Sequence, residues 1–251
     1  MMKLDQASYT NGLYFRPKPV VIDRPDSNLL LIATGWGPLE VTQHAAEMVV
    51  EQFELLSRDD VTTAFEVMAS VSSPANRLVN GVRMANQHLY KIENAKQWKA
   101  AVELTAIHYE YGVLSWVHVG SPHVLLHDGK NVHPLAYAVD WVGQSENRGP
   151  LFSEALGMEA NVNLTVGSLR LTREAQILLV GRSTLPKAVF QAENFESAEL
   201  QHQMVDDNAA APYWLGVVDL DRPTARPVFD PHATPVEDVT LHAVEDEDPA
   251  A

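Results

Sequence analysis

Five apolar residues, Leu29-Leu30-Leu31-Ile32-Ala33, follow Ser27-Asn28 and run into Gly35-Trp36-Gly37. A run this short, with turn residues at both ends, predicts a strand buried on both faces. The pattern then becomes helical: Val41, Ala45, Met48, Val49, Phe53 and Leu56 fall on one apolar stripe. A second amphipathic helix is predicted to begin at Ser73-Pro74, with Ser73 as N-cap and Pro74 as first helical residue. Its stripe is Leu78, Val82, Ala85, Leu89 and Ile92. From Ala101 the period changes, and short strands are predicted at Val102–Tyr109, Val113–Val119, His123–His127 and Asn131–Leu135. They are separated by Tyr111-Gly112, Gly120-Ser121-Pro122 and Asp128-Gly129, the last a strong hairpin signal. Further strands are expected at Asn163–Leu169, Ala175–Gly181 and Tyr213–Asp219, with a helix over Thr184–Gln203 between the last two. Two helices, a run of hairpins and then mixed elements, with no internal repeat and no interdomain linker, indicate an α+β layered domain.

The chain has 251 residues, enough for one domain with a sizeable core, and no stretch of about 18 apolar residues to cross a membrane as a helix. The start, MMKLDQASYTNG, lacks the basic and apolar regions of a secretory signal. Cysteine is absent, which removes disulfides, thiolate nucleophiles and Cys-ligated zinc and fits a reducing cytoplasm. A net charge of −15 argues against nucleic acid or an anionic membrane as partner, since both require basic surface. The acidity is uneven. Residues 228–251 hold seven acids and no Lys or Arg, with Pro231, Pro235 and Pro249 interleaved. Such a segment buries too little apolar surface to offset its ordering entropy, so it is expected to be a tail following a domain at 1–227.

Familiar site chemistry is sparse. His118, His123 and His127 lie on neighbouring predicted strands but lack the spacing of a metal-ligand motif. Ser121 and Ser183 have no Gly-x-Ser-x-Gly turn around them. Gly35-Trp36-Gly37 is followed by Pro38 and lacks the lysine of a phosphate-cradling loop. His44 and Glu47 belong to the polar face of the first helix.

The order of the pieces nevertheless resembles the type 2C, metal-dependent (PPM) Ser/Thr protein phosphatase family over roughly Tyr9 to Leu220. Where that family has an apolar strand ending in Asp-Gly-x-Gly-Gly before a long helix, this chain reads LLLIATGWGPLEV. Met84-Ala85-Asn86-Gln87 resembles the end of the family's next helix. VELTAIHYEYG resembles its Thr-containing strand. VHVGSPHVLLHDGKNVHPL resembles its Gly-Asp-Ser-Arg hairpin, and LFSEALG its Leu-Gly segment. ILLVGRSTL lies where the family has a strand ending in Ser-Asp-Gly. VDDNAAAPYWLGVVDL resembles its Asp-Asn motif and last strand. The resemblance implies a four-layer α-β-β-α sandwich with two central, mostly antiparallel sheets.

It also implies what is missing. The family's reaction needs two divalent ions, Mn or Mg, held by carboxylates that offset the repulsion between the ions and activate a water. Here the acid of the N-terminal Asn-x-Asp is Leu13. The strand-end Asp-Gly is Thr34-Gly35, the Gly-Asp of the hairpin is Gly120-Ser121, and the Ser-Asp-Gly acid is Arg182. Only Asp207, before Asn208, keeps the pattern. The resemblance therefore implies a pseudophosphatase without catalytic residues, metal or other cofactor, in a bacterial cytoplasm. Such a chain would bind a protein partner or a phosphorylated protein segment. Two alternatives stand beside it: an active metal-dependent phosphatase with an unusual ligand set, such as Asp207 with histidines, and a structural subunit that uses the acidic tail as its contact. Trp36 is either a half-buried core aromatic or a plug in the vacated cleft. Arg182 is either a turn residue facing solvent or an internal cation that meets Asp207.

Overall fold

The computed structural model describes residues 2–9, 17–58, 67–138, 140–141, 151–152, 154–181, 185, 189–190, 195, 200 and 213–223. Its elements in chain order are β1 (Met2–Tyr9), β2 (Val20–Arg24), β3 (Leu29–Trp36), α1 (Leu39–Leu55), α2 (Ser73–His88), β4 (Ala101–Glu110), β5 (Val113–Val119), β6 (His123–His127) and β7 (Val132–Ala136). The two-residue strands β8 (Asp140–Trp141) and β9 (Leu151–Phe152) follow, then β10 (Thr165–Arg170), β11 (Ala175–Gly181) and β12 (Tyr213–Leu220). Two five-stranded sheets form, in the orders β10-β5-β4-β3-β2 and β1-β12-β11-β6-β7, and β8 pairs with β9 alone. Every ladder is antiparallel.

The parity of each strand sorts its side chains into layers. On β3, Leu29, Leu31 and Ala33 pack with Ala45, Val49 and Phe53 of α1 and Leu78, Val82 and Ala85 of α2. Leu30 and Ile32 point the other way and meet Ile107, Trp116, Val124, Ile177 and Val218 between the two sheets. On the far side of the second sheet, Leu125, Leu178 and Leu215 pack with Val189, Phe195 and Leu200. This is the expected α+β sandwich of two central antiparallel sheets, with α1 and α2 as one outer layer. Most of the predicted Thr184–Gln203 helix, and residues 228–251, lie outside the described residues.

Two sequence expectations change, and two strands had not been expected. Ser72, not Ser73, caps α2: its Oγ accepts the Ala75 N–H at 3.2 Å. Ile92 leaves the apolar stripe because Leu89–Glu93 is a π-helical turn, closed by the Asn94 N–H on the Leu89 carbonyl at 2.8 Å. The wider turn rotates Ile92 into solvent, where it is 62% exposed. Strands β1 and β2 had no clear pattern. In β1 only Met2 and Leu4 reach the inter-sheet core, so the alternation is too short to read.

A buried acid beneath the Gly120–Ser121 turn

Strands β3 and β4 lie side by side so that Thr34 sits opposite Glu103, Gly35 opposite Val102 and Trp36 opposite Ala101. Thr34, Trp36, Glu103 and Thr105 share the parity of Leu30, Ile32 and Ile107, so they continue the inter-sheet layer toward its end. Glu103 is fully buried there. The Trp36 Nε1–H donates to its Oε2 at 2.8 Å. Above it passes the β5–β6 turn: Gly120 has φ +75, and a Cβ on it would come within 2.6 Å of Glu103 Cγ and of the Glu154 carbonyl oxygen. Glycine meets both demands at once, a left-handed backbone and a close approach.

Glu103 is an acid that the sequence analysis did not single out. Thr34 and Ser121 are buried around Glu103, as Thr34 at 3% and Ser121 at 1% exposure. Gly35 is required for packing: a Cβ on it would overlap the Thr42 side chain, which α1 lays directly over the strand. Trp36 is half-buried, and its indole N–H is committed to Glu103. Leu13, Arg182, Ser183, Asp207 and Asn208 lie outside the described residues. Glu103 had a readable signal, since an acid inside Ala101-Val102-Glu103-Leu104-Thr105 is out of place in a strand buried on both faces.

The histidines are buried and individually engaged. His118 Nδ1 and Thr105 Oγ1 share a hydrogen bond of 2.9 Å. His123 Nδ1 accepts the Ala138 N–H at 3.1 Å, and His127 Nδ1 accepts the Gly129 N–H at 3.3 Å. His127 also packs on Phe195. His44 and Glu47 are exposed on α1, as the stripe required, and the His44 ring meets that of His88 at 5.0 Å.

Two divalent ions need a set of converging oxygens, most of them anionic. Among the described residues no three His, Asp or Glu side chains come together in a ligand arrangement. Beneath the turn the buried side chains include the Glu103 carboxyl, hydrogen-bonded to an indole, and the hydroxyls of Thr34 and Ser121. The described side chains alone do not make up such a set, and Leu13, Arg182 and Asp207, which the resemblance places at the same site, lie outside them.

Burial pushes His118 down to about 4, with His123 adding to the effect against backbone hydrogen bonds to Tyr137 and Gly120 that oppose it. Burial likewise lowers His108 to about 4, helped by the Arg77 guanidinium. Both rings are therefore neutral in the folded protein at pH 7. Unfolding restores the ordinary value of 6.5, so between these values the unfolded chain holds the extra proton. Stability is accordingly full above about pH 6.5 and falls as the pH drops toward 4, by up to about 1.4 kcal/mol per pH unit for each ring. Urea unfolding at pH 7 and pH 5 should show this loss, and His118→Gln should flatten the slope. Equal stability at both pH values would mean that the rings protonate freely in the fold.

No family model and no curated protein matches the sequence. Solved structures do match the fold. PppA, described as a key regulatory component of T6SS in Pseudomonas aeruginosa, aligns with a TM-score of 0.60 at 12% identity, over 86% of this chain and 96% of that one. The serine/threonine phosphatase PstP/Ppp of Mycobacterium tuberculosis aligns with a TM-score of 0.57 at 18% identity, over 88% and 99%. The PstP catalytic domain with two manganese ions gives a TM-score of 0.57 at 16% identity, over 88% and 98%. The chain therefore has the fold of the PPM Ser/Thr phosphatases across nearly all of its length.

Proposed function

We propose that the chain is a non-catalytic phosphatase-like module that binds a protein partner and regulates it in the bacterial cytoplasm. One observation carries this reading. The strand-end position where the resemblance expects a metal-binding acid is a buried threonine, Thr34, and the acid opposite it, Glu103, accepts the Trp36 indole N–H. At this end of the sandwich the Trp36 indole holds one oxygen of the buried Glu103 carboxyl. Leu13 and Arg182 extend the same substitution in the sequence, and Arg182 adds a cation where an ion's ligand is expected. The fold neighbour described as a regulatory component supports a regulatory role over a purely structural one. No described helix is long and apolar enough to cross a membrane.

The test is turnover of p-nitrophenyl phosphate by the full chain with Mn²⁺ or Mg²⁺, alongside calorimetric titration of either ion. The expected result is no EDTA-sensitive hydrolysis and no binding tighter than millimolar. EDTA-sensitive hydrolysis, or a micromolar isotherm with two ions per chain, would overturn the proposal in favour of an active phosphatase with an unusual ligand set.

A further inference from the structure

The chain carries seven lysines and a net charge of −15, yet Lys91, Lys96 and Lys99 fall within nine residues. All three are exposed. Two large apolar side chains with solvent-exposed surface stand between them, Ile92 at 62% and Trp98 at 51% exposure, and Tyr90, at 39%, directly precedes Lys91. Single exposed apolar residues are ordinary, but three in the same ten-residue stretch as three lysines set this stretch apart on a strongly acidic protein.

Its shape is fixed by two devices. The π-helical turn at Leu89–Glu93 rotates Ile92 out of the core stripe, and such turns are frequent at functional positions. After it, Asn94 closes the following loop. Its Oδ1 accepts the N–H groups of Lys99 at 2.8 Å and Ala100 at 3.2 Å, while its Nδ2 donates to the carbonyls of Ala100 and Gly157, both at 2.8 Å. Four hydrogen bonds to one side chain pin the backbone at Lys99 and Ala100, so the end of this loop has little backbone ordering entropy left to lose on binding. The loop leads straight into Ala101, which pairs with Trp36, so the surface borders the end of the sandwich that holds Glu103. One acid lies within it: Glu93 approaches Lys99 at 3.5 Å and His88 at 3.8 Å. The segment from Tyr90 to Lys99 keeps a net positive charge.

We infer that the Tyr90–Lys99 surface is a docking site for an acidic peptide segment of a partner protein, one in which carboxylates alternate with bulky apolar side chains. Charge complementarity selects the partner's sign, and the aromatic and aliphatic side chains supply the buried anchor. The cations are lysines, compact charges without the planar fork that grips a single phosphate, so distributed carboxylates suit them better. The inference rests on the protein-binding reading and deepens it, but the two fail separately. Metal-dependent hydrolysis would remove that reading without touching this surface, and failed peptide binding would leave the catalytic question unchanged.

The experiment is fluorescence anisotropy of the full chain with a labelled peptide repeating Glu-Leu-Asp-Phe, compared with one repeating Glu-Ser-Asp-Ser. The first should bind, more weakly as salt rises, and the second should bind at least about tenfold more weakly, a difference of about 1.4 kcal/mol. Lys91→Glu with Lys96→Glu, and separately Trp98→Ala, should each cost about tenfold or more. Lys130→Glu, on the remote β6–β7 hairpin, should bind like the parent chain, and thermal unfolding should show each variant folded. Undiminished binding by the Lys91/Lys96 variant would overturn the inference. So would competition by an oligonucleotide. A carbodiimide cross-link from Lys96 or Lys99 to residues 228–251 of the same chain, formed without peptide, would overturn it as well, because the chain's own acidic segment would then be the occupant.

Discussion

Gly35→Ala is expected to lower stability by about 3 kcal/mol, near the upper end of the usual overpacking cost. An alanine Cβ at this position would overlap the Thr42 side chain, with Thr42 Cβ 2.7 Å away and Cγ2 2.9 Å away. Neither side can yield easily. Gly35 is held in the ladder opposite Val102, and Thr42 is 1% exposed in the first turns of α1, which packs its whole apolar stripe on the same sheet. Relief requires the helix to lift from the strand, which opens space beneath Ala45 and Val49 and forfeits their contacts. Thr42→Ala alone should change stability by less than about 1 kcal/mol, because its buried Oγ1 has no hydrogen-bond partner among the described residues. In the double variant it should recover part of the loss, since the overlapping Oγ1 and Cγ2 are gone while the Cβ remains. Denaturant midpoints at constant m-value measure this. If Gly35→Ala were neutral, or if Thr42→Ala recovered nothing, the close approach would not be what requires glycine here.

Trp36→Phe is expected to cost about 2 kcal/mol, mostly through Glu103. Phenylalanine keeps much of the apolar contact but removes the N–H that donates to Oε2 at 2.8 Å. A fully buried carboxylate then loses one of the hydrogen bonds that offset its desolvation. Glu103→Gln removes the charge and should make the same Trp36→Phe change cheaper by about 1 kcal/mol or more, a coupling typical of groups in one network. Additivity within about 0.3 kcal/mol would show that indole and carboxylate are not energetically linked. The fold would then be holding Glu103 by other means, and the non-catalytic reading would lose the contact that supports it.

Both results bear on function. A glycine demanded by helix packing is kept whether or not a metal once used its carbonyl, so Gly35 by itself carries little functional information. Glu103 carries more. It is an acid at the position opposite Thr34, and it accepts a hydrogen bond from an indole on the neighbouring strand.

Much of the architecture was legible in the residues themselves. An apolar run buried on both faces marked β3, strand patterns marked β4 and β11, and helical stripes marked α1 and α2. The Asp128-Gly129 hairpin was also legible, and the structure shows why: Asp128 Oδ1 accepts the N–H groups of Lys130 at 2.9 Å and Asn131 at 3.0 Å. The identities Leu13, Thr34 and Arg182 are likewise read directly from the chain, and the resemblance alone assigns them to ligand positions. Local patterns carried this information because strand and helix periodicities depend only on neighbours along the chain. Three things required tertiary structure. The pairing of Thr34 with Glu103 depends on the register of β3 against β4, across 69 positions of sequence that no local pattern spans. The indole–carboxylate contact depends on both strands facing the second sheet. Ile92 followed the helical stripe on paper, but a single widened turn moved it to the surface beside Lys91. Rotation of one side chain by an inserted residue is a three-dimensional event, and periodicity counted along the chain continues through it unaltered.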